Sequence, residues 1–194
     1  MELPFVIFDN DRIDVTNFSG QAFSKSHLGE YKTEAAVKQA KEFSGFEEIT
    51  TNTTLYDKDN YMTSNVMFSC YDKMVPRKFM FEKFKEQLEV DDSSVFIDIR
   101  LRIDMYQIFF VTKDNLDKYD TPEILFMDDE VAEGDCTLKQ CTHVAAMSAS
   151  DAIGILTNYW SNKKLGKDVF KTPFFTERNI TTQSFSNINK YDSI

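Results

Sequence analysis

Residues 94–112 read S-V-F-I-D-I-R-L-R-I-D-M-Y-Q-I-F-F-V-T, and this stretch says most about the fold. Apolar and charged residues alternate as far as Ile103, which is the period of two that predicts a β-strand with one wet face. β-Forming residues then continue to the end of the stretch, and only Asp104 gives a turn signal. A single strand of this length would span roughly 60 Å, well beyond the usual strand of a globular domain. The pattern therefore favours two strands joined by a tight turn at Asp104, with one long projecting strand as the alternative.

The sequence on either side predicts helices and further short strands. Strands are predicted at 5–8, 13–18, 65–71, 123–127 and 137–146. Helices are predicted at 33–43, at 76–88 and from a capping box at 148–151 toward 166. Together these elements predict an α+β fold, with a mainly antiparallel sheet covered by two or three helices and an extended C-terminal arm.

The predicted domain organisation is a single α+β domain over 1–171, followed by the arm over 172–194. The arm is rich in Ser, Thr and Asn, has no helical or strand period, and carries isolated aromatic residues. We expect it to be ordered by packing on its own domain or on a partner.

Composition and charge restrict the class of protein. The 194 residues include 18 Phe, only 6 Gly and 3 Cys, and the net charge is −10. No apolar run is long enough to span a membrane, and the few cysteines favour free thiols, so we expect a cytoplasmic protein, or a virion protein if it serves assembly. The acidic balance disfavours direct nucleic-acid binding, and no glycine-rich phosphate-binding motif is present.

The negative charge is concentrated between Asp114 and Asp135, where nine acidic residues accompany one lysine. This window is either an ordinary solvated region or a surface for a protein partner, including a second copy of the chain. The candidate partner-binding residues are the acids Asp114, Asp117, Asp120, Asp128, Asp129 and Glu130 and the aromatics Phe174, Phe175, Phe185 and Tyr191.

The two acids Asp9 and Asp11 directly follow the apolar run 5–8. This arrangement resembles the first signature of the haloacid dehalogenase superfamily, and Thr112 and Asp128 resemble its second and fourth signatures. The resemblance implies a Mg²⁺-dependent phosphatase in which these four residues form the catalytic site.

Three departures from that pattern favour a polar turn. Arg12 and Ile13 stand where the family has Gly followed by Thr or Val. Only 16 positions separate Thr112 from Asp128, which is too short for the required crossover helix and its lysine. The alternating stretch after residue 94 also suits a sheet with a wet side better than a buried parallel sheet. We therefore predict no catalytic residue, no metal and no cofactor in the leading interpretation.

A second candidate metal group consists of Cys136, Cys141 and His143, which Cys70 could complete. The spacing is loose and lacks a CxxC pair, so unligated thiols and a surface histidine are favoured.

The leading interpretation is a non-enzymatic interaction or assembly subunit, of viral, phage or mobile-element type, that binds a protein partner or itself. The alternatives are the Mg²⁺-dependent phosphatase and an acidic DNA mimic that inhibits a nucleic-acid-binding protein.

Overall fold

A computed structural model describes residues 4–126 and 141–187, except for the side chain of Ser19. The strands are β1 (Phe5–Phe8), β2 (Ile49–Asn52), β3 (Val66–Ser69), β4 (Val95–Leu101), β5 (Met105–Val111), β6 (Phe175–Asn179) and β7 (Ser184–Ser186). The helices are α1 (Lys32–Ser44), α2 (Met74–Val90), α3 (Leu116–Tyr119) and α4 (Thr142–Leu165). The chain divides into two compact units, Met1–Tyr61 and Met62–Ile194, which we call unit 1 and unit 2.

Unit 1 contains a two-stranded parallel sheet, in which α1 connects β1 to β2. The helix α1 buries Ala35 and Val37 and ends at Gly45, whose φ of 68° is the left-handed conformation that glycine adopts without strain. The predicted strand at 5–8 and the predicted helix end near Gly45 are therefore confirmed.

Unit 2 contains a five-stranded mixed sheet in the order β3-β4-β5-β6-β7. The β3–β4 pair is parallel, and α2 connects its two strands, whereas the other three pairs are antiparallel. Residues 94–112 form the predicted hairpin, with Asp104 in the connection between β4 and β5. The α+β class is as predicted, and the mainly antiparallel sheet is matched in part, because three of the five described strand pairs are antiparallel and two are parallel.

Both faces of the β4–β5 hairpin are covered. On one face, Ile97, Ile108 and Phe110 belong to a core cluster that also includes Ile155 and Leu156 of α4. On the other face, the rings of Phe96 and Phe109 contact Tyr119 of α3, and Phe96 also contacts Phe81 and Phe84 of α2. The predicted wet face of β4 is therefore wrong, because a second layer of helices covers it.

Four other local predictions are wrong within the described residues. Residues Val15–Ser19 form a 3-10 helix capped by Asp14 rather than a strand. Residues 121–125 form a turn after α3, where the strand at 123–127 was predicted. The helix α4 already begins at Thr142, so the strand predicted to 146 and the capping box at Ser148 are both replaced by helix.

Within residues 4–126 and 141–187, no helix is long and apolar enough to cross a membrane.

Candidate functional site

Polar side chains of unit 1 gather where β1 ends. The strand runs directly into Asp9, whose backbone N–H donates to the carbonyl of Asn52 at 3.2 Å, at the same end of the parallel neighbour β2. In parallel α/β units, ligands bind outside the carboxyl ends of the strands. The carboxyl end of the β1–β2 pair is therefore the candidate ligand site of unit 1.

Residues 9–11 form the polar turn that the sequence predicts. The Asp9 carboxylate accepts a hydrogen bond from the backbone N–H of Asp11 at 2.8 Å. Aspartate stabilises turns in this way by bonding the backbone two residues on. The turn leaves the Asp11 carboxylate largely exposed, with 62% of the side chain accessible.

The chain then folds back so that Lys32, in the first turn of α1, lies beside Asp11. Backbone hydrogen bonds join Ile13 to Glu30 at 2.9 Å and Lys32 to Asp11 at 3.0 Å. The Lys32 Nζ donates to Asp11 Oδ2 at 2.6 Å. The Asp11 side chain is largely exposed, whereas the Lys32 side chain is only 16% accessible, so water screens the pair mainly from the Asp11 side.

Arg12 is held on the same turn by two contacts. Its guanidinium lies 3.8 Å from the centre of the Tyr31 ring, and its Nη1 donates to the carbonyl of Gly29 at 2.7 Å. Gly29 has φ of 86°, which a residue with a side chain rarely adopts. Glycine at this position therefore allows the backbone conformation in which its carbonyl accepts the hydrogen bond from Arg12.

This cluster, which we call the β1-end cluster (Asp9, Asp11, Arg12, Lys32 and Asn52), combines acceptors with two cations. Carboxylates at such a strand end can accept hydrogen bonds from sugar hydroxyls, and lysine and arginine bind phosphate. A glycine-rich phosphate loop is absent from the 194 residues, so Lys32 and Arg12 are the groups of this cluster with the charge to bind an anion.

Unit 2 has a second polar cluster, which is buried beneath α2 and α3. Asp98 of β4 is fully buried and is paired with Arg77 of α2, which is only 4% exposed. Its other oxygen, Oδ2, accepts from Arg100 Nε and from the Tyr119 hydroxyl, each at 2.8 Å. Arg77 also donates to the carbonyl of Tyr71. The carboxylate thus has partners from three elements, as a buried charge requires.

Burial changes the acidity of this buried ion cluster (Arg77, Asp98, Arg100 and Tyr119). Desolvation, with help from the Arg100 charge, lowers the pKa of Arg77 to about 10, so the guanidinium remains protonated at neutral pH. Desolvation also raises the pKa of Tyr119, although the two arginines oppose this shift. The hydroxyl therefore stays protonated and donates to the carboxylate.

Sequence reasoning missed the pairing of Lys32 with Asp11 and the whole of the buried ion cluster. Asp98 and Arg100 occupied polar positions of an alternating pattern, which indicated a solvent-facing side. A usable signal was Phe96, which breaks the alternation in β4, together with the consecutive Phe109 and Phe110 in β5. Apolar side chains on both faces of a strand indicate that both faces are covered.

The residues of the phosphatase interpretation belong to different sheets. Asp9 and Asp11 follow β1 in the two-stranded sheet of unit 1, whereas Thr112 follows β5, which has antiparallel neighbours on both sides in another sheet. Thr112 instead precedes the 3-10 helix Lys113–Asn115, and its backbone N–H donates to the Asn115 side chain at 2.8 Å. Asp128 lies outside the described residues. The phosphatase interpretation is therefore wrong, because its strands do not form one parallel sheet.

The predicted partner-binding acids fall around α3. Asp114 lies in the preceding 3-10 helix, Asp117 lies in the first turn of α3, and Asp120 ends that helix and pairs with Lys85 at 3.1 Å. Asp128, Asp129 and Glu130 lie outside the described residues. Partner binding by the acidic residues stays a prediction.

The predicted partner-binding aromatics occupy different environments. Phe175 is buried in β6, with its ring 5.1 Å from that of Phe109, and the neighbouring Phe174 contacts the same ring at 5.9 Å. Phe185 of β7 is 57% exposed, and Tyr191 lies outside the described residues. The absence of any strand pattern in this segment was misleading, because 175–186 contains two strands of the sheet.

No group of three or more metal-ligating side chains occurs within residues 4–126 and 141–187. Cys70 and Cys141 are free thiols, and Cys141 precedes the first residue of α4, with His143 exposed in its first turn. Cys136 lies outside the described residues, so the complete predicted group is not tested.

Comparison with solved structures shows which fold this is. The structure of E. coli MccB with ATP matches with a TM-score of 0.64 at 12% sequence identity, over 94% of this chain and 55% of that one. The Microcin C7 biosynthetic enzyme MccB in complex with N-formylated MccA matches with a TM-score of 0.62 at 13% identity, over 94% and 56%. PaaA matches with a TM-score of 0.56 at 11% identity, over 93% and 54%. The chain thus spans about half the length of these proteins.

No family model and no curated protein sequence matches the chain. The likeness to MccB is therefore one of fold.

The fold match corrects the functional interpretation. The predicted non-enzymatic assembly subunit is contradicted, because the fold of the chain matches about half of the biosynthetic enzyme MccB. The acidic DNA mimic is set aside by the same finding, and Asp120, one of its acids, is paired with a lysine of its own chain.

Proposed function

We propose that the chain is an enzyme, or part of one, that binds ATP through the β1-end cluster of unit 1. The observation that carries this proposal is the Asp11–Lys32 pair at the carboxyl end of a parallel strand pair, in a fold shared with a protein whose structure contains ATP. Sequence identity of 12% supports no closer transfer of activity, so the reasoning rests on the side chains of this chain.

The chemistry of each group assigns it a role. The carboxylates of Asp9 and Asp11 lie beyond the carboxyl end of β1, the side of a parallel sheet on which ligands bind, and can accept hydrogen bonds from ligand hydroxyls. Lys32 supplies a phosphate contact, and its partner in this structure is the exposed carboxylate of Asp11. Arg12 is oriented by Tyr31 and Gly29, so its charge is fixed beside the turn.

Isothermal titration of ATP into the chain tests this proposal. We expect Lys32→Ala to raise the dissociation constant for ATP about tenfold or more. The loss of one charged phosphate contact should reduce the binding free energy by roughly 1.4 kcal/mol or more. Lys38→Ala is the matched control, because Lys38 lies on the same helix and is exposed. Its dissociation constant should stay within about twofold of the wild-type value.

Two results would contradict the proposal. The first is wild-type protein that binds no ATP at millimolar concentration. The second is equal weakening by Lys32→Ala and Lys38→Ala, with both variants folded by circular dichroism.

A protein partner and a cytoplasmic location remain separate proposals. They are supported by the net charge of −10 and by the small number of cysteines. Light scattering should give a mass above that of one chain if the protein binds itself, and a monomer would leave a different partner as the remaining form of this proposal.

A further inference from the structure

The end of α4 and the loop that follows it, residues 165–171, expose large apolar side chains on unit 2. Leu165 is 52% exposed, Val169 is 54% exposed and Phe170 is 45% exposed. Single exposed apolar residues are common on protein surfaces, whereas several in one short segment mark a site of interaction. We call residues 165–171 the apolar loop.

The backbone of the apolar loop is held in place by two asparagine side chains of α4. Asn162 is only 5% exposed, and its Oδ1 accepts hydrogen bonds from the N–H groups of Val169 and Phe170, each at 2.9 Å. Its Nδ2 donates to the Phe170 carbonyl at 2.7 Å, and Asn158 Nδ2 donates to the Lys171 carbonyl at 2.9 Å. These backbone groups are therefore satisfied within the chain while the apolar side chains face the solvent.

Lysines flank the apolar side chains of this loop. Lys163, Lys164, Lys167 and Lys171 are all exposed, and Asp168 is the acidic residue among them. The segment 163–171 is therefore basic, although the net charge of the chain is −10. Charges farther away than about 8 Å are largely screened at physiological ionic strength, so an approaching anionic surface responds to this local excess of positive charge.

We propose that the apolar loop and its lysines bind the surface of an anionic lipid bilayer. The lysines contact the negatively charged headgroups. Leu165, Val169 and Phe170 enter the boundary between headgroups and acyl chains, to the depth of about 5–10 Å that interfacial elements reach. This inference goes beyond the proposed function, since it rests on unit 2 alone and ATP is proposed to bind unit 1.

The chemistry of the loop favours lipid over other anionic partners. Leucine and valine side chains cannot stack on bases as aromatic side chains do, so a nucleic acid would leave them uncompensated. A backbone group without a partner is costly at the acyl boundary, and the hydrogen bonds from Asn162 and Asn158 remove that cost. A bilayer also supplies negative charge and apolar volume together, which matches the mixture of lysines and apolar residues. An acidic polypeptide is the competing partner.

Co-sedimentation of the full chain with vesicles gives the first test. At physiological salt we expect binding to vesicles made of equal parts phosphatidylcholine and phosphatidylserine, and at least about tenfold weaker binding to vesicles of phosphatidylcholine alone. Polyglutamate, as a soluble acidic polypeptide, should bind more weakly than the mixed vesicles. Equal binding to the two kinds of vesicle, binding to neither, or tighter binding to polyglutamate would overturn the proposal.

Substitution of apolar side chains gives the second test. Leu165→Ser combined with Val169→Ser should raise the dissociation constant for the mixed vesicles at least about tenfold, because less apolar surface is removed from water. Val75→Ser combined with Val90→Ser is the matched control, since these two valines of α2 are also exposed, by 69% and 81%. The control should change the dissociation constant by less than about twofold.

Charge reversal gives the third test. Lys164→Glu combined with Lys167→Glu should also raise the dissociation constant at least about tenfold, because both lysines face the headgroups. Lys38→Glu combined with Lys73→Glu changes the net charge equally at exposed lysines outside this segment, and the dissociation constant should stay within about threefold of the wild-type value.

Equal effects of the loop variant and its control, in either the apolar or the charged pair, would overturn the proposal. Thermal unfolding of each variant separates loss of the binding surface from loss of the fold. ATP titration of the same samples reports the β1-end cluster separately, so failure of either proposal can be recognised by itself.

Discussion

At the scale of single residues, the buried ion cluster of unit 2 is the arrangement that a substitution would disturb most. Asp98 is fully buried, and its carboxylate contacts two arginines and a tyrosine hydroxyl. Breaking a buried pair by removing one partner costs more than the pair contributes over an apolar alternative, because the remaining charge stays buried.

Arg77→Met should lower the free energy of unfolding by about 3 kcal/mol, the lower part of the range for such losses, since Arg100 still compensates Asp98. Urea denaturation measures this change. Arg102→Met is the control, because Arg102 is exposed just after β4, and a change within about 0.5 kcal/mol is expected there. Equal losses in the two variants would show that the cluster has no special role in stability.

Tyr106 gives a prediction about pH. Burial, followed by a hydrogen bond to the Asp151 carboxylate, raises the pKa of Tyr106 to about 12 from its ordinary 10.0. The folded state therefore favours the protonated phenol, so this contribution to stability is complete below pH 10 and is lost as the pH rises toward 12. Urea denaturation across this range should show a decline that Tyr106→Phe reduces, and an identical decline in the variant would contradict the assignment.

At the scale of elements, the helix α4 contains two glycines with opposite predicted effects. Gly166 ends the helix with φ of 64°, where a side chain is strained. Gly154 lies inside the helix, and a Cβ atom there would meet nothing within 4 Å. Gly166→Ala should therefore destabilise the protein by about 1 kcal/mol, and Gly154→Ala should stabilise it by about 0.5–1 kcal/mol.

Thermal and urea unfolding of both glycine variants measure this pair of effects. Each variant serves as the control for the other, because both add one methyl group to the same helix. Changes of the same sign in the two variants would contradict the helix end at Gly166.

The elements differ in how far the sequence could predict them, and the reason is the range of the forces involved. The hairpin at 94–112 and the end of α1 at Gly45 depend on local periodicity and on one backbone conformation, so they were predictable. The start of α4 was not, because Ser148 resembles a helix cap. In the structure its hydroxyl donates to the Ala145 carbonyl inside the helix, a local bond that serine can make in either setting.

At the scale of the whole molecule, the α+β class followed from the pattern of elements, but the candidate site did not. The turn at Asp9 and Asp11 was predicted from residue type. Its pairing with Lys32 depends on the return of the chain alongside residues 11–13, and no short motif encodes such a long-range contact. Fold similarity to MccB contradicts the predicted assembly subunit, and enzyme activity is the function proposed in its place.

The most direct test of this account is an NMR titration of ¹⁵N-labelled protein with ATP. The predicted result is a set of saturable shifts at the amides of residues 9–12 and at Lys32 and Asn52, with the loop at 57–60 unchanged. Saturable shifts elsewhere without any at residues 9–12 and 32, or no shifts at millimolar ATP, would contradict the assignment of the β1-end cluster as a nucleotide site.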